Sequence, residues 1–188
     1  MFHPAAASGT LGADLRALRK ARGITLAELA GDLGRSVGWL SQVERDLSQP
    51  SIADLRRIAA RLGVSVSMFF GQAPAPAEEA GHIVRRTARR TIGGAEGLVE
   101  ELLSPDLTDA FEMVHSTFAP HSRIAEPTTR PTQEVAYLVS GKLDLEIAGR
   151  CFTVHPGDSF RIRGERFEWI NPYAEPDVAI WVIAPPVY

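Results

Sequence analysis

The chain has 188 residues, 45% of them hydrophobic and 23% charged, which places it among globular proteins rather than disordered or fibrous ones. No apolar run approaches the roughly 18 residues of a membrane span, and residues 1–9 lack the basic and apolar regions of a cleaved signal. A cytoplasmic protein with no membrane partner is therefore expected. The single cysteine, Cys151, excludes an intrachain disulfide framework and a cysteine-based zinc site.

The net charge of −3 is unevenly spread: +1 over residues 1–80, +4 over 81–90 and −8 over 91–188. A basic front and an acidic rear suggest two modules, of which only the front favours a polyanion. Between them, residues 72–81 carry a Pro-Ala repeat that favours extended backbone and makes a semi-rigid linker. Apolar residues recur at helical spacing before it, whereas short β-rich runs with Gly and Pro breaks follow it. The expected domains are 10–71 and 82–188.

Leu11, Leu15 and Leu18 share one helix face, which Gly23 can end as a left-handed residue. Thr25-Leu-Ala-Glu28 is a capping box, in which the hydroxyl takes an orphan N–H and the carboxylate reaches back. It opens a second helix with Leu26, Leu29, Ala30 and Leu33. After the turn at Gly34-Arg35, Ser36 caps a third helix whose Leu40 and Val43 face inward. Ser51 caps a fourth, bearing Ile52, Leu55, Ile58, Ala59 and Leu62 and stopped by Gly63. Ser65 then caps a fifth, through Met68-Phe69-Phe70. The short turn between the second and third helices is helix-turn-helix anatomy.

The segments Ile24-Thr-Leu-Ala-Glu-Leu-Ala30, Leu40-Ser-Gln-Val-Glu-Arg45, Pro50-Ser51 and Leu62-Gly-Val-Ser65 together resemble the lambda-repressor-like, or XRE, helix-turn-helix domain. The resemblance implies that the third helix, capped by Ser36, enters the DNA major groove. It would present Val37, Gly38, Ser41 and Gln42 there, with Trp39 beside them. Gln pairs bidentately with adenine, Ser bonds either type of base edge, and Val touches a thymine methyl. Arg35, Arg45, Gln49 and the N–H of Ser51 are the candidates for phosphate contact. A structural pair between Glu44 and Arg19 is also implied. Trp39 has a second reading, as a seal at the edge of the core, and Arg56, Arg57 and Arg61 read as a solvated helix face. Two departures make the direct readout lean: Leu26 stands where many relatives carry a phosphate-binding Gln, and Gly38 offers no side chain.

In the second segment, alternation predicts strands at 111–118, 134–140, 143–147, 151–154, 160–162, 167–171 and 178–183. That series belongs to a sandwich or barrel. Glu134 followed by Gly141, then Pro156-Gly-Asp158, then Asn171-Pro172 resembles a small cupin, a β-barrel of jelly-roll kind. Glu101-Leu-Leu-Ser-Pro-Asp106 is similar to the lead-in strand of cupins fused to XRE domains. Such fusions are bacterial transcription regulators whose barrel senses a small molecule.

Metal-binding cupins present a His-x-His pair, a Glu and a later His, and here the resemblance aligns those positions with Thr128, Arg130, Glu134 and Phe167. Only Glu134 remains a ligand, because the other three cannot supply an imidazole. No metal and no cofactor are expected; a rearranged site of His115 or His121 with Glu134 is the alternative. What replaces the metal set is a pair of opposite charges, Arg130 and Glu134, with the Thr128 hydroxyl and with Phe167 and Trp169 on one strand face. Such a pocket suits an amino acid or other small carboxylate; the other reading is that Arg130 and Glu134 pair only with each other. Cys151 reads as an inert core residue, with oxidant sensing as its alternative.

The expected fold class is multidomain, α and β: a five-helix lambda-repressor-like domain followed by a cupin β-barrel. The expected function is that of a transcription regulator, with a double-stranded DNA operator and a small-molecule effector as partners. It would act as a homodimer on a pseudo-palindromic site and has no catalytic residues. A cupin enzyme, an isomerase or dioxygenase with an attached helix-turn-helix, is the alternative.

Overall fold

Each α-helix begins where a short polar side chain accepts an orphan N–H. In the computed structural model, which describes residues 10–64, 66–69, 76, 78, 79, 81–93, 96–105, 107 and 109–186, Thr10 caps α1 (Leu11–Ala21) and Thr25 caps α2 (Leu26–Leu33). Ser36 caps α3 (Val37–Val43) and Ser51 caps α4 (Ile52–Leu62). Thr25 with Glu28, and Ser51 with Asp54, form complete capping boxes. Helices α2 and α4 end on Gly34 and Gly63, at φ 63° and 68°, where a Cβ would be strained. The apolar stripes meet in a core that includes Leu15, Leu18, Leu29, Leu40, Ile58 and Leu62, each at most 1% exposed.

The expected fifth helix is instead a single 3-10 turn, Val66–Phe69, so the described residues contain four α-helices. The described turn is four residues long, a length at which the tighter i→i+3 bonding is common. Burial of Met68 nevertheless pins the turn to the core. The proposed Ser65 cap, Phe70 and most of the linker at 72–81 lie outside the described residues. Contacts divide the chain into two units: residues up to 90 with 105–109 and 188, and residues 91–104 with 110–187.

The second unit is built of ten strands. They are β1 (Arg90–Gly93), β2 (Leu98–Leu102), β3 (Glu112–Phe118), β4 (Ser122–Arg123), β5 (Gln133–Ser140), β6 (Leu143–Ile147), β7 (Arg150–Val154), β8 (Ser159–Ile162), β9 (Phe167–Asn171) and β10 (Asp177–Ala184). One sheet runs β1-β2-β3-β10-β5-β8 and the other β4-β9-β6-β7. Strict alternation of burial in β3, β5 and β10 gives the first sheet an inner and an outer face. Inner residues of both sheets, among them Phe118, Leu138, Leu143, Leu145, Phe167, Trp169 and Trp181, make one core.

The expected barrel is not closed. Among the described residues no ladder joins β7 to β8, the terminal strands of the two sheets. A groove of ≈ 590 Å³ lies along this edge, lined by Phe152 and Val154 of β7 and Phe160 and Arg161 of β8. The two layers therefore hold together through side-chain packing, as in an open jelly-roll sandwich.

Candidate nucleic-acid interface and effector cavity

Helix α3 buries Leu40 and Val43 and turns Val37, Gly38 and Gln42 to solvent, with Ser41 and Trp39 half-buried. The Ser36 hydroxyl accepts from Trp39 N at 3.1 Å, which fixes the first turn. Arg35 is committed inside the protein: its Nε and Nη2 donate to Asp54 at 2.9–3.1 Å, and its guanidinium lies 4.9 Å from the Trp39 ring centroid. Trp39 thus braces Arg35 at the helix edge. The Ser51 N–H donates to Asp54 Oδ2 at 3.3 Å and the Ser51 hydroxyl donates to the same oxygen at 2.7 Å. The Ser51 hydroxyl first, and then Arg35, hold the Asp54 carboxyl below its ordinary range. Arg35, Trp39, Ser51 and Asp54 together tie the start of α3 to the start of α4 and set the angle of α3.

Arg45 is exposed and donates from Nε to Ser41 O at 3.1 Å; Gln49 is exposed on the following loop. Arg19 and Glu44 pair as anticipated, with Nε to Oε1 at 2.6 Å and Nη2 to Oε2 at 2.9 Å, both side chains buried. This raises the Arg19 pKa, chiefly through the hydrogen bond. Arg56, Arg57 and Arg61 form the exposed face read from the sequence, on which Arg61 bonds the Asp32 carboxylate and Arg57 the Asp32 carbonyl, linking α4 to α2 at the surface.

In the sandwich, a cavity of ≈ 50 Å³ gathers all five residues singled out from the sequence: Thr128, Arg130, Glu134, Phe167 and Trp169. The Thr128 backbone exchanges hydrogen bonds of 2.8 and 2.9 Å with Phe167, latching its loop onto β9. Glu134 is buried, accepts from Thr132 Oγ1 at 2.6 Å, and lies 3.9 Å from Arg130 Nη1. The aromatic wall is close-packed: Phe118 meets Trp169 edge-on at 4.7 Å between centroids, and Phe167 meets Trp181 at 6.0 Å.

Three polar members escaped the sequence reading: Glu100, Ser116 and Trp181. Their signal was present. Glu100 sits in the inward phase of β2 between Leu98 and Leu102, and Ser116 sits in the inward phase of β3 between Val114 and Phe118. A polar residue in an apolar phase marks a site more sharply than the apolar phase itself.

The donor set does not fit a divalent ion. A guanidinium stands beside Glu134, Phe167 fills the remaining ligand position, and no group of three His, Cys, Asp or Glu that could hold a metal occurs among the described residues. The rearranged histidine site is also not assembled. His115 lies 3.7 Å from Glu101, on the opposite face of β3 from Ser116, and His121 lies in a turn at φ 55°. Cys151, read as a core residue, is exposed. It lies on terminal strand β7, of which only Val154 is buried.

A helix-turn-helix domain model matches residues 10–68 and a cupin domain model matches residues 114–183. The chain is similar to the HTH-type transcriptional regulator SutR of Escherichia coli (strain K12), 29% identical over 82% of this chain and 83% of that protein. PuuR, another HTH-type transcriptional regulator of the same strain, is 25% identical over 80% of this chain and 81% of its own length. An immunity repressor protein of Bacillus phage phi105 is 36% identical over 63 residues, which span 34% of this chain and 44% of that repressor. Two domain matches in this order, in a chain that parallels HTH-type transcriptional regulators along most of its length, show a helix-turn-helix domain followed by a cupin domain, the make-up of a transcriptional regulator.

Proposed function

We propose that the protein reads a specific duplex through α3 and adjusts its hold on that duplex when a small effector, such as an amino acid, enters the cupin cavity. The observation that carries this reading is the co-location of Arg130 and Glu134, opposite charges, in one aromatic-lined cavity at the former metal positions of the cupin pattern. On the DNA side, the reading is supported by Val37, Gly38 and Gln42 standing exposed on α3 while Arg35 and Ser51 lock its angle from behind. In this reading Arg35 and Ser51 act chiefly by positioning α3, and Arg45 and Gln49 are the free phosphate partners. The protein needs neither metal nor cofactor and catalyses no reaction.

Two-fold symmetry suits this task, since half-sites lie about one helical turn, ~34 Å, apart. The partner copy is assigned to the outer face of the six-stranded sheet, where Val99, Val135, Tyr137, Val139 and Val182 are 40–52% exposed and Val182 stands opposite Val135 in register.

Duplexes selected from a random pool by the full chain test the DNA half. Gln42→Ala should lose about 1–3 kcal/mol at one base position only, while Arg45→Ala should weaken all sequences alike. A Gln42→Ala protein with unchanged sequence preference in gel shifts contradicts the proposed register.

A further inference from the structure

The inner face of the six-stranded sheet carries four acids where apolar residues are expected, Glu100, Glu112, Glu134 and Asp177, and two of them, Glu100 and Glu134, line the cavity. Glu100 of β2 lies opposite Ser116 of β3, and Ser116 lies opposite Ala179 of β10. Glu134 of β5 lies opposite Ile183 of β10. Trp181 is the inward residue of β10 between Ala179 and Ile183, so its row runs between those of the two carboxylates. Glu100, Glu134 and Trp181 all line the same cavity.

Internal partners do not balance this arrangement. Ser116 donates to Glu100 at 3.3 Å, a weak bond, and Thr132 supplies one donor to Glu134. Among the described residues Arg130 is the one cation lining the cavity, and its side chain is 42% exposed. Two inward carboxylates, Glu134 buried and Glu100 half-buried, thus share one half-exposed guanidinium, a costly arrangement that an amide or a leucine would relieve. The second observation is independent of charge. Trp181 is 6% exposed, and its indole N–H has no acceptor among the described residues. A buried donor left unpaired marks a place for an acceptor brought from outside.

We infer that the cavity is a receptor for a small ammonium compound bearing an oxygen. The cation would lie between the Glu100 and Glu134 carboxylates and against the aromatic faces, and the oxygen would accept from Trp181 Nε1. This rests on the effector reading above and narrows it, because a carboxylate lacking an ammonium would add a third negative charge. Burial pushes the Glu100 carboxyl up, Arg130 and Ser116 draw it down, and Glu134 pushes it up again. A bound cation would favour the charged form of Glu100.

Thermal unfolding of the full chain with ethanolamine, ethylammonium and acetate, at equal ionic strength, tests the inference. Ethanolamine should raise Tm most, ethylammonium less, and acetate not at all. Glu100→Gln should weaken the apparent affinity for both amines by roughly 30-fold or more, and Glu134→Gln provides the same test if that variant does not fold. Without ligand, Glu100→Gln should unfold at or above the parent's temperature, since an amide replaces a half-buried carboxyl. An unchanged amine response in these variants overturns the inference and marks the acids as structural. A response to acetate alone, lost in Arg130→Gln, overturns the ammonium assignment and leaves the effector cavity standing. No response to any of the three overturns both.

Discussion

Asp54 shows how one side chain can hold several duties in this fold. It completes the α4 capping box with Ser51 and accepts the forked guanidinium of Arg35. Its carboxyl is held low by the Ser51 hydroxyl and then by Arg35, and Glu28 is held low by the Thr25 hydroxyl in the α2 box. A depressed folded-state pKa contributes stability that is present above the unfolded value, about 4 for a carboxylate, and lost as pH falls through the folded value. Urea midpoints of the full chain should therefore fall as pH drops below about 4. Asp54→Asn should lower the midpoint at neutral pH and flatten that acid slope; a variant that keeps the parent's full slope would refute the assignment. At this scale the sequence was legible where a pair has a local or family signature. The capping boxes and the Arg19–Glu44 pair were readable, whereas the Arg35–Asp54 fork was not, because its partners are nineteen residues apart and either could have faced solvent.

The elements themselves are set by their stops. Gly34 adopts φ 63° between α2 and α3, so the direction in which α3 leaves the turn depends on a left-handed residue. Gly34→Ala should cost about 1–2 kcal/mol, read from urea denaturation, because a Cβ disfavours that conformation even though nothing crowds it within 4 Å. Periodicity located all four α-helices, yet it placed Ile52 on the core stripe when that residue is 62% exposed. At the first helical position a side chain points back past the cap rather than onto the neighbouring helices. In the second unit the long alternating strands were legible to within a residue or so. Strands β1 and β4 were missed because four and two residues carry too little alternation to read, and the lead-in strand expected over 101–106 lies instead at Leu98–Leu102. The fifth helix failed for a similar reason, as one capped turn looks alike in α and 3-10 form.

At the scale of the molecule, the charge asymmetry read from the sequence falls on two units, and the five residues singled out as a pocket line one cavity, together with Glu100, Ser116 and Trp181. Dimerisation through the outer face of the six-stranded sheet is the remaining test at this scale. Val182→Lys should leave the fold intact, shift the sedimenting species from dimer to monomer, and weaken operator binding through loss of the second half-site. A dimer that survives both Val182→Lys and Tyr137→Glu would move the interface elsewhere. One further property follows from where the indoles lie. Of the chain's three tryptophans, Trp39 belongs to α3 while Trp169 and Trp181 line the cavity. The molecule therefore carries a native optical readout at each of the two proposed sites. In a Trp39→Phe protein, emission would come from the cavity alone, and in the parent a change on adding DNA would come through Trp39. Occupancy of the two sites can then be followed separately, in one cuvette, without attaching a dye.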